Sequence, residues 1–285
     1  MNTNSNTYTV VYSAIIVIVV ASILALAATS LKDRQVANMK AETISQILSA
    51  AKIPAGESNA EIIATYKNEI AEAFKVDLTG KRTGDLNTED AEIFTTSDLK
   101  AQNYNIADAS EQTTIPVYVF KNGTKVFPIY GAGLWGPIWG YVAVATDGTI
   151  AGATFDHASE TPGLGGKIKD DPAFRAQFDG KTFDFTDAAP FAIVKGGAPE
   201  GKANAIDAIT GATMTCKGLD QAINAWIKAY APVISNAATQ CGSECCSESG
   251  NECGMNEECC NEAASDCCGN CQEEQTGCGE CGTNN

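Results

Sequence analysis

From Val10 to Thr29 the chain runs VVYSAIIVIVVASILALAAT without one charged side chain. Coiled as a helix, that run would extend about 30 Å, the thickness of a bilayer's hydrocarbon core. It predicts a transmembrane helix. A cleaved signal peptide is the rival reading, with Ala25-Leu26-Ala27 as its cleavage site, but Met1 to Thr9 lack the Lys or Arg that such a peptide starts with. No Cys follows the run, which argues against lipoprotein processing. Lys32, Arg34 and Lys40 come directly after it, and the positive-inside tendency would hold that side in the cytoplasm.

The remainder is long enough for one substantial domain with accessory segments. A net charge of −16 excludes a nucleic-acid partner, because phosphate neutralisation needs clustered Lys and Arg. Residues 241–285 carry ten acidic side chains and no basic ones, so the acidity belongs mainly to the tail. Cysteine is equally lopsided. Cys216 stands alone in the body and the other eleven follow Gln240, so no disulfide can form within the main domain.

Apolar residues Val36, Met39, Ile44, Ile47 and Leu48 recur at helical spacing between Asp33 and Ala51, and Ile53-Pro54-Ala55-Gly56 ends that run. A second helix is predicted over 59–74, capped by Ser58, with Ile62, Ile63, Tyr66, Ile70 and Phe74 on one face. A polar, loop-rich stretch follows. The period then becomes that of strands. Val117, Val119, Val126 and Pro128 flank Asn122-Gly123, and Tyr141, Val142, Val144, Ile150 and Phe155 flank Asp147-Gly148, which predicts two hairpins of an antiparallel sheet. Between them, residues 130–139 are apolar but broken by Gly and Pro, fitting either a buried loop with core tryptophans or the lining of a flat ligand. Short strands are predicted at 183–185 and 191–194, around Pro190.

A helix is predicted over 217–234, capped by Thr215, with Leu219, Ala222, Ile223, Trp226, Tyr230, Val233 and Ile234 on its apolar face. Thr213 then stands just ahead of a helix N-terminus. Free N–H groups and the macrodipole converge there, so a phosphate on Thr213 would be held without an arginine. The plainer reading, in which Thr210 and Thr213 are ordinary caps, fits the same spacing, and the local chemistry does not choose. The glycines of Glu160-Thr161-Pro162-Gly163-Leu164-Gly165-Gly166 permit close backbone approach to something flat or anionic. His157 reads as an exposed loop residue or a hydrogen-bonding partner of that ligand, and Cys216 as a small buried hydrophobe.

Asp207-Ala208-Ile209-Thr210-Gly211-Ala212-Thr213 matches the pattern of FMN-binding domains flavinylated by a dedicated transferase, and residues 160–166 match their companion motif. With YGAGLW at 130–135 and the N-terminal apolar helix, the chain closely resembles the family of covalent-FMN subunits of sodium-translocating NADH:quinone reductases over residues 1–237. The resemblance implies an α+β fold: a transmembrane helix at 10–29 behind a short tail at 1–9, a membrane-proximal helical region at 30–112, and an FMN-binding domain at 113–237 with antiparallel sheet and flanking helices. It implies an electron-relay subunit in a bacterial inner-membrane complex that oxidises NADH, reduces ubiquinone and exports Na+. FMN would be joined by a phosphoester to Thr213 through a flavin transferase, and the soluble domain would lie on the periplasmic side. By motif, Asp207, Thr210, Gly211 and Ala212 would form the attachment loop, and Glu160, Thr161, Leu164, Gly165 and Gly166 the loop near the flavin. The homologous flavin-bearing subunits of Rnf-type electron-transport complexes are the nearest alternative family.

The resemblance does not reach residues 238–285, an acidic tail reading C-x3-CC-x6-C-x5-CC-x6-CC-x2-C-x6-C-x2-C. Its composition cannot build an apolar core and predicts disorder unless metal or disulfides organise it. Cys268, Cys271, Cys278 and Cys281 supply four thiolates for zinc, at a spacing shorter than in zinc ribbons. A membrane-tethered metal- or thiol-binding protein, with the tail as its function, is therefore a reading from another class.

Overall fold

A computed structural model of the chain describes residues 6–239. The cysteine-rich tail, with Cys268, Cys271, Cys278 and Cys281, lies outside the described residues.

Helix α1, Asn6–Ala50, is continuous. The transmembrane run and the helix expected after Asp33 are one element, because neither Pro nor Gly interrupts the sequence before Pro54. Its N-terminal part, from Val10 to Leu31, leaves its large apolar side chains exposed and is long and apolar enough to cross a membrane. Its last turns do the opposite, burying Ile44, Ile47 and Leu48 completely. The helix stops where Lys52 turns to φ +57 and the Ile53 N–H reaches back to the Leu48 carbonyl at 2.9 Å, which satisfies an end carbonyl.

Helix α2, Asn59–Glu69, begins on a capping box between Ser58 and Glu61 and ends five residues before the predicted limit. Ile70 and Phe74 belong instead to strand β1, Ile70–Val76. A register shift between Ile70 and Glu72 breaks strict alternation in β1, so its buried positions Ile70, Ala73 and Val76 imitate helical spacing. The polar stretch expected to be loop contains strand β2, Arg82–Asp85, and helix α3, Thr96–Ala107, which opens on a second capping box between Thr95 and Asp98.

Both predicted hairpins form. Strands β3, Ile115–Phe120, and β4, Lys125–Ala132, turn at Gly123; β5, Pro137–Val144, and β6, Ile150–His157, turn at Gly148. The two glycines have φ +81 and +83, which Asn-Gly and Asp-Gly turns favour. The strands join β1 and β2 in one antiparallel sheet, ordered β2-β1-β3-β4-β5-β6. After β6 come two short helices, α4 at Lys167–Asp170 and α5 at Pro172–Ala176. Strands β7, Ala192–Val194, and β8, Ala205–Asp207, then pair in parallel. Residues 183–185 form no strand; Phe183 stacks edge-on against Phe191, so ring packing rather than pairing accounts for its apolar character. Helix α6, Thr213–Thr239, closes the described chain.

The sheet is the middle of three layers, because alternate side chains bury on opposite faces. Ile115, Val117, Phe127, Ile129, Ile138 and Val142 meet Leu219, Ile223, Trp226 and Tyr230 of α6. Tyr118, Phe120, Val126, Tyr141 and Ala143 meet Ile44, Ile47 and Leu48 of α1 and Tyr66 of α2. Each fully buried large side chain contributes roughly 1.5–3 kcal/mol. The root of the long N-terminal helix is thus a wall of the domain. Helix α6 lies close against β4: a Cβ on Gly218 would fall 2.1 Å from the Ala132 carbonyl oxygen.

Candidate functional site at the start of helix α6

Helix α6 opens at Thr213, so Thr213 is its first residue, whereas Thr215 lies inside the first turn. The expected cap at Thr215 is not made. Gly211, at φ +81, turns the chain into the helix, and the first helical hydrogen bond runs from the Cys216 N–H to the Ala212 carbonyl at 2.9 Å. The helix itself therefore leaves the N–H groups of Thr213, Met214 and Thr215 without partners. These donors, with the positive end of the macrodipole, suit a phosphate. Thr213 and Met214 are exposed; Thr215 and Cys216 are buried.

The Thr215 hydroxyl instead donates to Glu160 Oε2 at 2.6 Å. The other carboxylate oxygen accepts the Trp135 N–H at 2.8 Å. Glu160 is only 3% exposed, and among the described residues no Lys or Arg pairs with it. One side chain thus ties together the β4–β5 turn, the 160–166 loop and the first turn of α6. A Cβ on Gly165 would sit 2.4 Å from Glu160 Oε2 and 2.6 Å from Thr215 Oγ1, so the loop passes that close only as glycine. Leu164 lies over Gly211, with its Cδ2 3.0 Å from where a Cβ would be. Leu134, Trp135, Leu164 and Met214 all remain substantially exposed, forming an apolar margin to these connected loops. Trp135 is therefore no core residue, while Trp139 is partly buried.

Other residues expected near this site do different work. The Asp207 carboxylate accepts the Ala198 N–H at 2.6 Å, and the Asp207 N–H donates to Gln177 Oε1, so Asp207 orders the preceding loop. Thr161 is exposed, and its carbonyl accepts the N–H groups of Leu164 and Gly166. Thr210 is also exposed. His157 ends β6, and its Nδ1 accepts the Glu160 N–H at 3.1 Å, so its ring shapes the turn that delivers Glu160. The Cys216 Sγ accepts the Ile209 N–H at 3.3 Å; burial pushes the thiol's pKa up, against the lowering effect of that bond, which makes it a structural group.

Gly131-Ala132-Gly133-Leu134-Trp135-Gly136 has the G-x-G-x-x-G spacing of a dinucleotide-binding turn. Here it joins antiparallel strands β4 and β5, not a strand to a helix, so the strand–turn–helix context of a dinucleotide site is missing.

Residues 133–228 match the FMN-binding domain family, a span that contains the Glu160 turn, Thr213 and most of α6. The NqrC subunit of the Na(+)-translocating NADH-quinone reductase from Vibrio campbellii is 35% identical over 228 residues, covering 72% of this chain and 84% of the relative. The chain belongs to the NqrC family of Na(+)-translocating NADH-quinone reductase subunits. The Pasteurella multocida member is 32% identical over 75% of this chain and 87% of its own. Among solved structures, NqrC from Parabacteroides distasonis superimposes with a TM-score of 0.60 at 29% identity, covering 72% of this chain and 97% of that one. Shewanella oneidensis NqrC gives 0.58, again at 29% identity, covering 70% of this chain and 98% of that one. The fold described above is thus shared with solved NqrC structures.

Sequence reasoning missed Thr215 as a partner of Glu160, and it missed a second buried carboxylate. Asp156, at the end of β6, accepts Gln46 Nε2 of α1 at 2.7 Å and Lys169 Nζ at 2.9 Å through Oδ2, and the His157 N–H through Oδ1. Burial acts to lower the Lys169 pKa but is outweighed by Asp156 and Glu42, so the net shift is upward. Thr215 and Glu160 are 55 positions apart and Gln46 and Asp156 are 110 apart, separations at which no local pattern carries a signal.

Proposed function

We propose that this chain is the FMN-carrying electron-relay subunit of a sodium-translocating NADH:quinone reductase, with FMN joined through its phosphate to Thr213 Oγ1. The observation that carries this reading is an exposed threonine opening a long helix whose first N–H groups are unpaired, within an NqrC fold. The donor set fits the group. Backbone N–H groups and the helix dipole suit the phosphate, and the apolar margin of Leu134, Trp135, Leu164 and Met214 suits a flat ring.

FMN, when bound, supplies one- and two-electron chemistry. The chain's residues supply position. Thr213 would hold the phosphate oxygen, the α6 N–H groups would balance its charge, and Gly165 and Gly211 would let the two loops close beside it. Leu164 and Trp135 would exclude water from one side of the ring. Thr161, Gly166, Thr210 and Ala212 would complete the two loops, and Asp207 would hold the attachment loop from behind. No general acid or base is assigned, because a relay moves electrons between neighbours in a complex and needs no bond made in its substrate.

In this reading α1 spans the inner membrane and holds the domain on the periplasmic side, beside the other subunits. Lys32 and Arg34 then run against the positive-inside tendency, which is statistical and yields to assembly with partner subunits. A flavin transferase would form the ester. The test is a denaturing gel viewed under ultraviolet light, with chain made in transferase-competent cells. The wild-type band is expected to fluoresce and Thr213→Ala to be dark; a dark wild-type band would refute the covalent link.

A further inference from the structure

We infer that Thr215 is a positioning residue for the flavin attachment site, acting through its hydroxyl on the buried Glu160 carboxylate. The inference rests on the Thr213 reading above and deepens it. Three observations carry it. Thr215 is 1% exposed and Glu160 3%, so their 2.6 Å bond is sheltered from competing water. The Glu160 carboxylate has donors on both oxygens, Thr215 and the Trp135 N–H, and no cation among the described residues. Its hold on the helix therefore depends on these few dipoles. Finally, Gly165 packs against the bonded pair so closely that a Cβ would strike both oxygens, so the 160–166 loop rests directly on that bond.

Thr215 has the β-branched shape of Val, so Thr215→Val removes the hydroxyl with little change of volume, and Thr215→Ser keeps the donor. With the bond gone, the first turn of α6 and the 160–166 loop are free to separate, and the Thr213 hydroxyl is no longer presented at one fixed place to the transferase. The ester would form less often even though the protein folds.

The experiment measures flavin fluorescence per mole of full-length chain, in detergent, after expression with limiting flavin transferase; circular dichroism reports folding. Thr215→Val is expected to carry roughly tenfold less flavin, the factor associated with losing one sheltered charge-assisted hydrogen bond. Thr215→Ser should return to within about twofold of wild type, since the same donor is restored. Glu160→Gln fills the same volume without the charge and should lower flavinylation too. Combined with Thr215→Val it should do little further harm, because the two side chains act as one unit. A folded Thr215→Val that is as fluorescent as wild type would overturn the inference while leaving the Thr213 reading intact. So would a Thr215→Ser variant as dark as Thr215→Val. Should Thr215→Val not fold, Glu160→Gln decides: wild-type fluorescence there overturns the inference. A dark wild-type chain would remove both readings together.

Discussion

Asp156 and Glu160 flank His157 at the end of β6, and both are buried, but they serve opposite ends of the site's scaffold. Asp156 faces the root of α1, where Gln46 and the Lys169 ammonium meet the same oxygen. Its charge is matched by a cation that is itself partly in water. Glu160 faces the start of α6 and has only a hydroxyl and a backbone N–H for company. A buried carboxylate without a cation is costly, and proteins keep such groups where position or function requires them. The contrast separates two tasks: the Asp156 cluster joins helix α1 to the domain, whereas the Glu160 pair joins the 160–166 loop and the β4–β5 turn to the start of α6.

If the tasks are separate, Asp156→Ala should cost the most stability. It orphans three donors, one of them charged, and about 3 kcal/mol in urea denaturation of the detergent-solubilised chain is expected, near the lower end for a broken buried pair because Lys169 can reach water. Flavin load in the folded fraction should stay near wild type. Glu160→Ala should cost less stability, about 2 kcal/mol for two unpaired donors, while losing most of the flavin. Equal effects of the two variants on both readouts would erase the distinction. Lys169→Met comes next, at about 1 kcal/mol, since its partly exposed ammonium is screened. Because Asp156 and Glu42 raise its folded pKa, that contribution is fully present below the ordinary lysine value of 10.5 and fades as the pH rises past it. The gap between wild type and Lys169→Met should therefore narrow in strongly alkaline buffer. Trp135→Ala is the smallest in stability, within about 0.5 kcal/mol for an exposed side chain. It should nonetheless alter flavin emission; if emission does not change, Trp135 lies away from the ring.

The sheet's hairpins were legible because Asn122-Gly123 and Asp147-Gly148 are local signals, and the helical pattern of α6 was legible because its apolar face repeats regularly. The motif residues at 160–166 and 207–213 were readable as short strings. What was not readable came from long-range pairing or from coincidence of period. The register shift in β1 gave Ile70, Ala73 and Val76 a helix-like spacing. The capping box of Thr95 and Asp98 was present in the sequence but lay in a stretch whose polarity suggested loop. Thr215 looked like a cap because Ser and Thr near a helix start usually are caps. Only the fold brings Glu160 beneath it.

The central claim is the bond between Thr213 and FMN, and peptide mapping by mass spectrometry tests it most directly. In chain purified from transferase-competent cells, the peptide containing Thr213 should carry the mass of FMN less one water, with fragmentation placing it on that threonine. An unmodified Thr213 peptide, or FMN found on Thr210 or any other residue, would contradict the account.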